Sequence, residues 1–163
     1  MRLLPTATPV SPDSRPVLSF DANLLLYSYC EAAPQHAVAH RFITALDNRE
    51  DVALSEFVLT EFYLLLRNPA VLVKPLTAPA AVAVIQTYRS HPRWKVLGFP
   101  PDSRELHAAL WQKSAHPGIA RRRIYDTRTA LVLRAFGVTE FATANVKDFE
   151  GFGFAKVWNP LHG

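Results

Sequence analysis

Short apolar runs alternate with longer amphipathic stretches along the chain, and this alternation predicts its elements. Branched and aromatic side chains dominate the short runs, which predicts strands over residues 17–20, 52–54, 94–99 and 138–142 and a last edge strand over 156–158. The stretches between them predict helices from residue 22, over 35–46, from 56 to 67, over 80–90, from about 103 and over 128–136. Strands that alternate with helices imply an α/β fold around a mostly parallel sheet of four to five short strands, with right-handed crossovers.

Three carboxylates lie at unusual points of this pattern. Asp21 stands where the first strand ends and a helix begins, and Asp126 stands at the predicted start of the last long helix. Either could simply be an N-cap, because Asp is a favoured cap residue. Glu61 shares a helix face with Val58 and Leu65. A buried Glu there needs a ligand, a proton or an ion pair with an arginine, because an unpaired buried charge is costly.

A parallel sheet would bring these groups together. The carboxyl ends of its strands meet at one edge, where ligands gather. Asp21 and the polar loop 143–148 both leave that edge, and Glu61 lies about two turns into a helix that begins there. Carboxylates gathered in one crevice repel one another, and a divalent cation relieves that repulsion. Oxygen ligands select hard ions such as Mg²⁺ or Mn²⁺, whereas zinc would lack its usual His and Cys ligands.

Such an ion suits phosphoryl chemistry, because it activates water and neutralises a leaving oxygen. The sequence contains no Gly-rich phosphate loop, no G-x-S-x-G elbow and no His–Cys pair with the spacing of a nucleophile and its base. Metal-assisted hydrolysis of a phosphodiester is therefore the reaction that these residues favour.

The length and composition of the chain limit the class of protein to which it can belong. Its 163 residues suffice for one domain, which we place at 17–163, behind a proline-containing flexible N-terminal arm at 1–16. A single cysteine excludes an internal disulfide, and no apolar run reaches the length of a membrane span, so we expect a cytoplasmic protein that does not associate with membranes.

Positive charge is concentrated at one place. The formal net charge of +4 permits a polyanionic partner without identifying one. The densest cluster is the run Arg121-Arg122-Arg123. Its side chains either form a solvated turn or bind RNA phosphates beside the site.

Four short segments follow one another in a characteristic order and spacing. They are Phe20-Asp21-Ala22-Asn23, Leu59-Thr60-Glu61-Phe62, Ile124-Tyr125-Asp126 and Thr143-Ala144-Asn145-Val146-Lys147-Asp148-Phe149. In this order they resemble the PIN-domain family, and within it the chain is most similar to the VapC-type toxins of bacterial toxin–antitoxin systems. The resemblance extends from about residue 17 to 158.

This resemblance implies a fold, an activity and partners. The fold would be a PIN-like α/β/α sandwich, and the activity that of a Mg²⁺-dependent endoribonuclease, with Mn²⁺ as the alternative ion. The partners would be an RNA substrate and a cognate VapB-like antitoxin, and the chain would form a homodimer.

The resemblance also implies roles for individual residues. Asp21 and Asp126 would be metal ligands, and Glu61 would complete the catalytic carboxylates. Family members often carry an acid where this chain has Asn145, so either Asn145 or Asp148 would fill the fourth position, around one ion or two. Two further polar residues would orient the acids by hydrogen bonds; these are Asn23 and Thr143.

Two other functions fit parts of the pattern. A phosphatase of the haloacid dehalogenase type also begins with a strand that ends in Asp, as at Asp21, and uses a Lys near an Asp, as in Lys147-Asp148. It would need a second Asp where this chain has Asn23, and a following Gly-Thr where it has Leu24-Leu25. A non-catalytic PIN-like module that binds RNA or a protein partner is favoured by Asn145 and disfavoured by the three retained carboxylates.

Overall fold

The computed structural model describes residues 16–162, so the predicted arm at 1–16 lies outside the described residues except for Pro16. The strands are β1 Leu18–Phe20, β2 Ala53–Ser55, β3 Lys95–Leu97, β4 Glu140–Ala142 and β5 Lys156–Trp158. The helices are α1 Ala22–Tyr29, α2 His36–Ala45, α3 Glu56–Leu66, α4 Ala78–Arg89, α5 Ser103–Ser114 and α6 Arg123–Ala135, and a short 3-10 helix spans Val146–Phe149. Within this part of the chain no helix combines the length and the apolar character that crossing a membrane requires.

All strand pairings in the described residues are parallel. β1 pairs with β4 and β4 with β5, while β2 pairs with β3. A parallel bridge between Leu18 and Val52 joins the two sets, and the Val17 N–H donates to the Asp51 carbonyl at 2.7 Å. The strands therefore lie in the order β3-β2-β1-β4-β5. β1 is central, and the carboxyl ends of all strands face the same edge.

Helices cover both faces of this sheet, which confirms the predicted α/β/α sandwich. On one face, Phe20 of β1 packs edge to face against Phe42 of α2 and against Trp94, within a core that α1, α3 and α4 complete. On the other face, Phe141 of β4 packs against Phe149 and α6. Strands buried on both faces need near-continuous apolar runs, and the sequence provides them.

The start of α6 differs from the prediction. The helix begins at Arg123 instead of residue 128, so Asp126 lies inside its first turn and is not an N-cap. Between Gly118 and Gly137 the chain contains no proline or glycine, and the Thr127 hydroxyl donates to the Arg123 carbonyl at 3.0 Å within the added turn. Since each further residue adds one backbone hydrogen bond, the helix extends until a breaker stops it.

Candidate active site

Asp21 lies at the carboxyl end of the central strand, between β1 and α1. The Ala22 N–H donates to its Oδ1 at 2.8 Å, so Asp21 is the N-cap of α1. Its other oxygen, Oδ2, accepts a hydrogen bond from the Thr143 hydroxyl at 2.8 Å. The residue is only 5% exposed, and burial raises the pKa of its carboxyl despite these two hydrogen bonds. Asp21 is thus a cap and a buried acid at once.

Thr143 fixes the loop that follows β4. Its hydroxyl donates to Asp21 and also accepts the Asn145 N–H at 2.9 Å, so one fully buried side chain ties this loop to α1. The Asn145 side chain is exposed. Asn23 is half-buried on α1, and its side chain makes no hydrogen bond to a carboxylate within residues 16–162. Of the two residues expected to orient the acids, Thr143 is therefore the one that contacts Asp21.

Glu61 lies in the middle of α3 and is half-buried. Burial is the main cause that raises its pKa to about 7, and the negative charges of Asp21 and Asp126 raise it further. No ion pair of Glu61 occurs among the described residues, so the proposed alternative of a salt bridge with an arginine is not found there. The cations Arg122 and Arg128 lower the pKa only from a distance.

Asp126 and Asp148 complete the acidic group. Burial raises the pKa of Asp126 to about 6, with contributions from the charges of Asp21 and Asp148, while Arg123 opposes the shift. Asp148 is half-buried in the 3-10 helix after β4 and also raises the pKa of Asp21. The structure therefore brings the four predicted carboxylates together around Asp21 and Asp126. These two interact with each other, and Glu61 and Asp148 each interact with both of them.

The three consecutive arginines have different positions. Arg123 donates to the Lys147 carbonyl at 3.4 Å, and it lines a cleft of about 660 Å³ together with Lys113 and Phe152. Arg122 acts on Glu61 by its charge, whereas Arg121 is exposed beside Trp111 in a separate surface depression. Two of the three cations are thus close to the carboxylates.

The carboxylates have the chemistry of a site for a hard divalent ion. They supply oxygen donors only. Burial, with a further contribution from their mutual repulsion, raises the pKa of Glu61 to about 7 and that of Asp126 to about 6, and a cation would relieve the repulsion. Within residues 16–162 no three His, Cys, Asp or Glu side chains are close enough to enclose an ion by themselves. Mg²⁺ usually keeps several waters and takes one or two protein carboxylates, so this donor set fits a hydrated Mg²⁺.

Arg128 is a residue of this region that the sequence interpretation missed. Its guanidinium carbon lies 4.1 Å from the centre of the Phe57 ring, and its charge lowers the pKa of Glu61. Its position two residues after Asp126 was the only signal in the sequence. Because α6 begins before Asp126, this spacing places both side chains at the start of the same helix.

Comparison with known sequences gives one group of relatives. Ribonuclease VapC24 of Mycobacterium tuberculosis, from strains CDC 1551 / Oshkosh and H37Rv, is 46% identical over 145 residues, which is 89% of this chain and 97% of the relative. No protein-family model matches the chain.

Several solved structures share the fold. VapC20 of Mycobacterium tuberculosis, described as a sarcin-ricin loop cleaving toxin, superposes with a TM-score of 0.57 at 18% identity, over 76% of this chain and 86% of that one. FitAB bound to an IR36 DNA fragment gives 0.59 at 19%, over 90% and 97%. VapBC2 from Rickettsia felis, bound to a promoter DNA fragment, gives 0.57 at 18%, over 88% and 98%.

The solved structures support the fold alone, whereas the curated relative shares nearly half of its residues over almost its full length. This level of identity confirms the family resemblance predicted from the four sequence segments. The chain belongs to the VapC family of PIN-domain proteins.

Proposed function

We propose that this protein is a Mg²⁺-dependent endoribonuclease and the toxin of a VapBC-type toxin–antitoxin pair. The observation that carries the proposal is the buried Asp21, held by Thr143 and placed within electrostatic range of Glu61, Asp126 and Asp148. A cluster with this excess of negative charge suits a divalent cation, and its nearest cations suit a phosphate. The name of the curated relative, a ribonuclease, supports RNA as the substrate.

Asp21 and Asp126 are the residues that would hold the ion. When bound, Mg²⁺ neutralises charge that develops on the phosphate and lowers the pKa of an attacking water. Thr143 keeps the Asp21 carboxylate in one orientation, since its hydroxyl bonds Oδ2 while the Ala22 N–H bonds Oδ1. Asp148 adds a further oxygen donor from the loop after β4, where Asn145 provides only an exposed amide.

Glu61 is the residue suited to proton transfer. In the metal-free protein burial is the main cause that raises its pKa to about 7, so this carboxyl can exchange a proton near neutral pH, as a general base must. Arg122 and Arg123 border the same group of acids and would hold the RNA phosphates. We thus assign ion binding to Asp21 and Asp126, proton transfer to Glu61, and phosphate binding to the two arginines.

The partners follow from the same family. VapBC2 and FitAB are named as two-component assemblies, which supports a cognate VapB-like antitoxin for this chain. A homodimer is part of the proposal as well.

Expression of the chain in a bacterial host tests the proposed function. We expect growth to stop and new RNA 5′ ends to appear at defined positions, as mapped by sequencing. Asp21→Asn should remove these ends, whereas Asp102→Asn should retain them, because Asp102 is an exposed carboxylate whose side chain makes no cap hydrogen bond. A protein that binds RNA and leaves every 5′ end unchanged would be the non-catalytic module.

Neutralising the arginines should weaken RNA binding and reduce its dependence on salt. In the Asp21→Asn background, which leaves the RNA intact, Arg122→Gln and Arg123→Gln should each lower the slope of log K against log salt by about one. Arg41→Gln, at an exposed position on α2, is the matched control and should leave the slope unchanged. If all three variants keep the parental salt slope, the three arginines form a solvated turn and do not bind phosphate.

A further inference from the structure

An arginine held by aromatic rings lies beside the candidate active site. The Arg128 guanidinium carbon is 4.1 Å from the centre of the Phe57 ring and 5.8 Å from that of Tyr125. Its Nε is buried and has no hydrogen-bond partner among the described residues. No ion pair with Arg128 is present in that part of the chain either. The aromatic rings therefore hold the Arg128 guanidinium in place, and the guanidinium can bind an anion.

Two of the surrounding aromatic side chains are exposed. Phe99 is 76% exposed and Tyr125 is 52% exposed, although both are large and largely apolar. Phe99 packs edge to face on Phe57, with ring centres 5.4 Å apart and an angle of 81°. Phe57 lies in the first turn of α3, and Phe99 follows β3, so both stand at the carboxyl edge of the sheet. Exposed aromatic surface at such an edge is typical of a binding site.

This cluster borders the group of carboxylates. Arg128 is close enough for its charge to lower the pKa of Glu61, and Tyr125 immediately precedes Asp126 in the first turn of α6. A ligand on these rings would therefore lie next to the bond that the acids are proposed to cleave.

We propose that Phe57, Phe99, Tyr125 and Arg128 form a subsite for one unpaired RNA nucleotide adjacent to the cleaved bond. The base would stack on the exposed faces of Phe99 and Tyr125, and the Arg128 guanidinium would bind its phosphate. This inference rests on the proposed ribonuclease function. It adds a physical reason why the enzyme would bind single-stranded RNA in preference to duplex RNA.

The composition of the cluster favours a nucleotide over a peptide or a second copy of the chain. Rings that stack on bases and an arginine for the phosphate are the two parts of sequence-tolerant single-strand recognition. Among the residues that the structure describes, Arg128 has no acidic partner, and Arg122 adds positive charge near Glu61. In a duplex the base faces are already stacked, so this subsite would bind loops and single strands and exclude helices.

Binding to matched RNAs tests the subsite. In the Asp21→Asn background, the affinity for a short single-stranded RNA is measured by fluorescence anisotropy and compared with that for the same RNA carrying abasic positions. Phe99→Leu and Tyr125→Leu should each weaken binding of the intact RNA by about five-fold or more, and binding of the abasic RNA far less. Tyr125→Phe keeps the ring and should bind as the parent does. Tyr29→Leu, on another exposed tyrosine, should also have no effect.

The outcomes separate this subsite from the proposed function. Suppose that the protein with Asp21 intact cleaves single-stranded RNA, but Phe99→Leu and Tyr125→Leu do not change RNA binding. This result would overturn the subsite and support the proposed ribonuclease function. An equal loss on intact and abasic RNA would also overturn it. If the two variants bind RNA normally and change only the oligomeric state on gel filtration, the cluster contacts a second copy and not a nucleotide. A parent protein that binds no RNA would overturn both proposals.

Discussion

Asp21→Asn should abolish RNA cleavage by the purified protein and leave its fold intact. The substitution removes a negative charge from a buried position that is proposed to hold the ion. Loss of a positioned charged group in a site of this kind lowers the rate by at least about 10²-fold. Initial rates of cleavage with Mg²⁺ present measure the loss directly.

The fold should survive because Asn can pair with both hydrogen-bond partners of Asp21, although the bond to Thr143 then runs in the reverse direction. Its Oδ1 can accept the Ala22 N–H, and its Nδ2 can donate to the Thr143 hydroxyl oxygen, which already accepts the Asn145 N–H and has a second lone pair. In metal-free buffer the variant should also melt at a higher temperature than the parent, because burial disfavours the charged form of Asp21.

Two comparisons make this result decisive. Asp126→Asn should lose activity in the same way, because Asp126 is proposed as the second ion-binding acid, and Asp102→Asn should retain it. Mn²⁺ should raise the melting temperature of the parent, but it should raise that of Asp21→Asn much less. Cleavage at the parental rate by either site variant would remove that residue from the mechanism. If Mn²⁺ gives no stabilisation of the parent while Asp21→Asn is more stable, the acids do not hold a metal.

The strands and the sheet edge could be predicted from the sequence because burial on both faces leaves a strong local signal. Four of the five predicted runs contain the strand that the structure shows, and β2 lies one residue later than predicted, at Ala53–Ser55. Ser55 also caps α3 by accepting the Phe57 N–H at 3.0 Å. Once the strands are parallel, the placement of Asp21 and Thr143 on one edge follows from topology alone. The hydrogen bond between these two side chains spans 122 positions of sequence, and it lies at the predicted place.

Features that depend on helix ends and on packing between elements could not be predicted. The predicted start of α6 was wrong because helix propensity changes little between Arg123 and Arg128, so no local signal marks where the helix begins. The aromatic cluster was missed because Phe57, Phe99 and Tyr125 come from three separate elements. Their proximity is a property of the fold. Family membership, in turn, excludes the phosphatase alternative, which short motifs could only disfavour.

Raising the pH should destabilise the metal-free protein, and metal should reverse this effect at high pH. The carboxyl of Glu61 ordinarily has a pKa of 4.5 and has one of about 7 in the fold, while for Asp126 the values are 3.8 and about 6. Below about pH 4 both states hold these protons. Between about pH 4 and 7 the unfolded chain has released them and the folded protein has not, so the free energy of unfolding falls as pH rises.

Melting temperatures in a chelating buffer from pH 5 to pH 8 measure this fall. Other groups titrate in the same range, so the comparison that matters is with Glu61→Gln, which keeps the size of the side chain and removes its proton equilibrium. The variant should lose less stability than the parent between pH 5 and pH 7. A parallel decline in both proteins would show that Glu61 does not carry a raised pKa.

Addition of Mg²⁺ or Mn²⁺ should stabilise the protein more at pH 8 than at pH 5. At pH 5 the ion must displace a proton from Asp126, which is proposed to hold it, and its charge must expel the proton of the neighbouring Glu61. At pH 8 both carboxylates are already charged and repel one another. The gain in melting temperature should therefore grow across the same interval in which metal-free stability is lost. An equal gain at both pH values would place the ion away from these acids. If the metal-induced rise in melting temperature depends on pH in the parent and depends on it much less in Glu61→Gln, the ion binds at the carboxylates around Asp21.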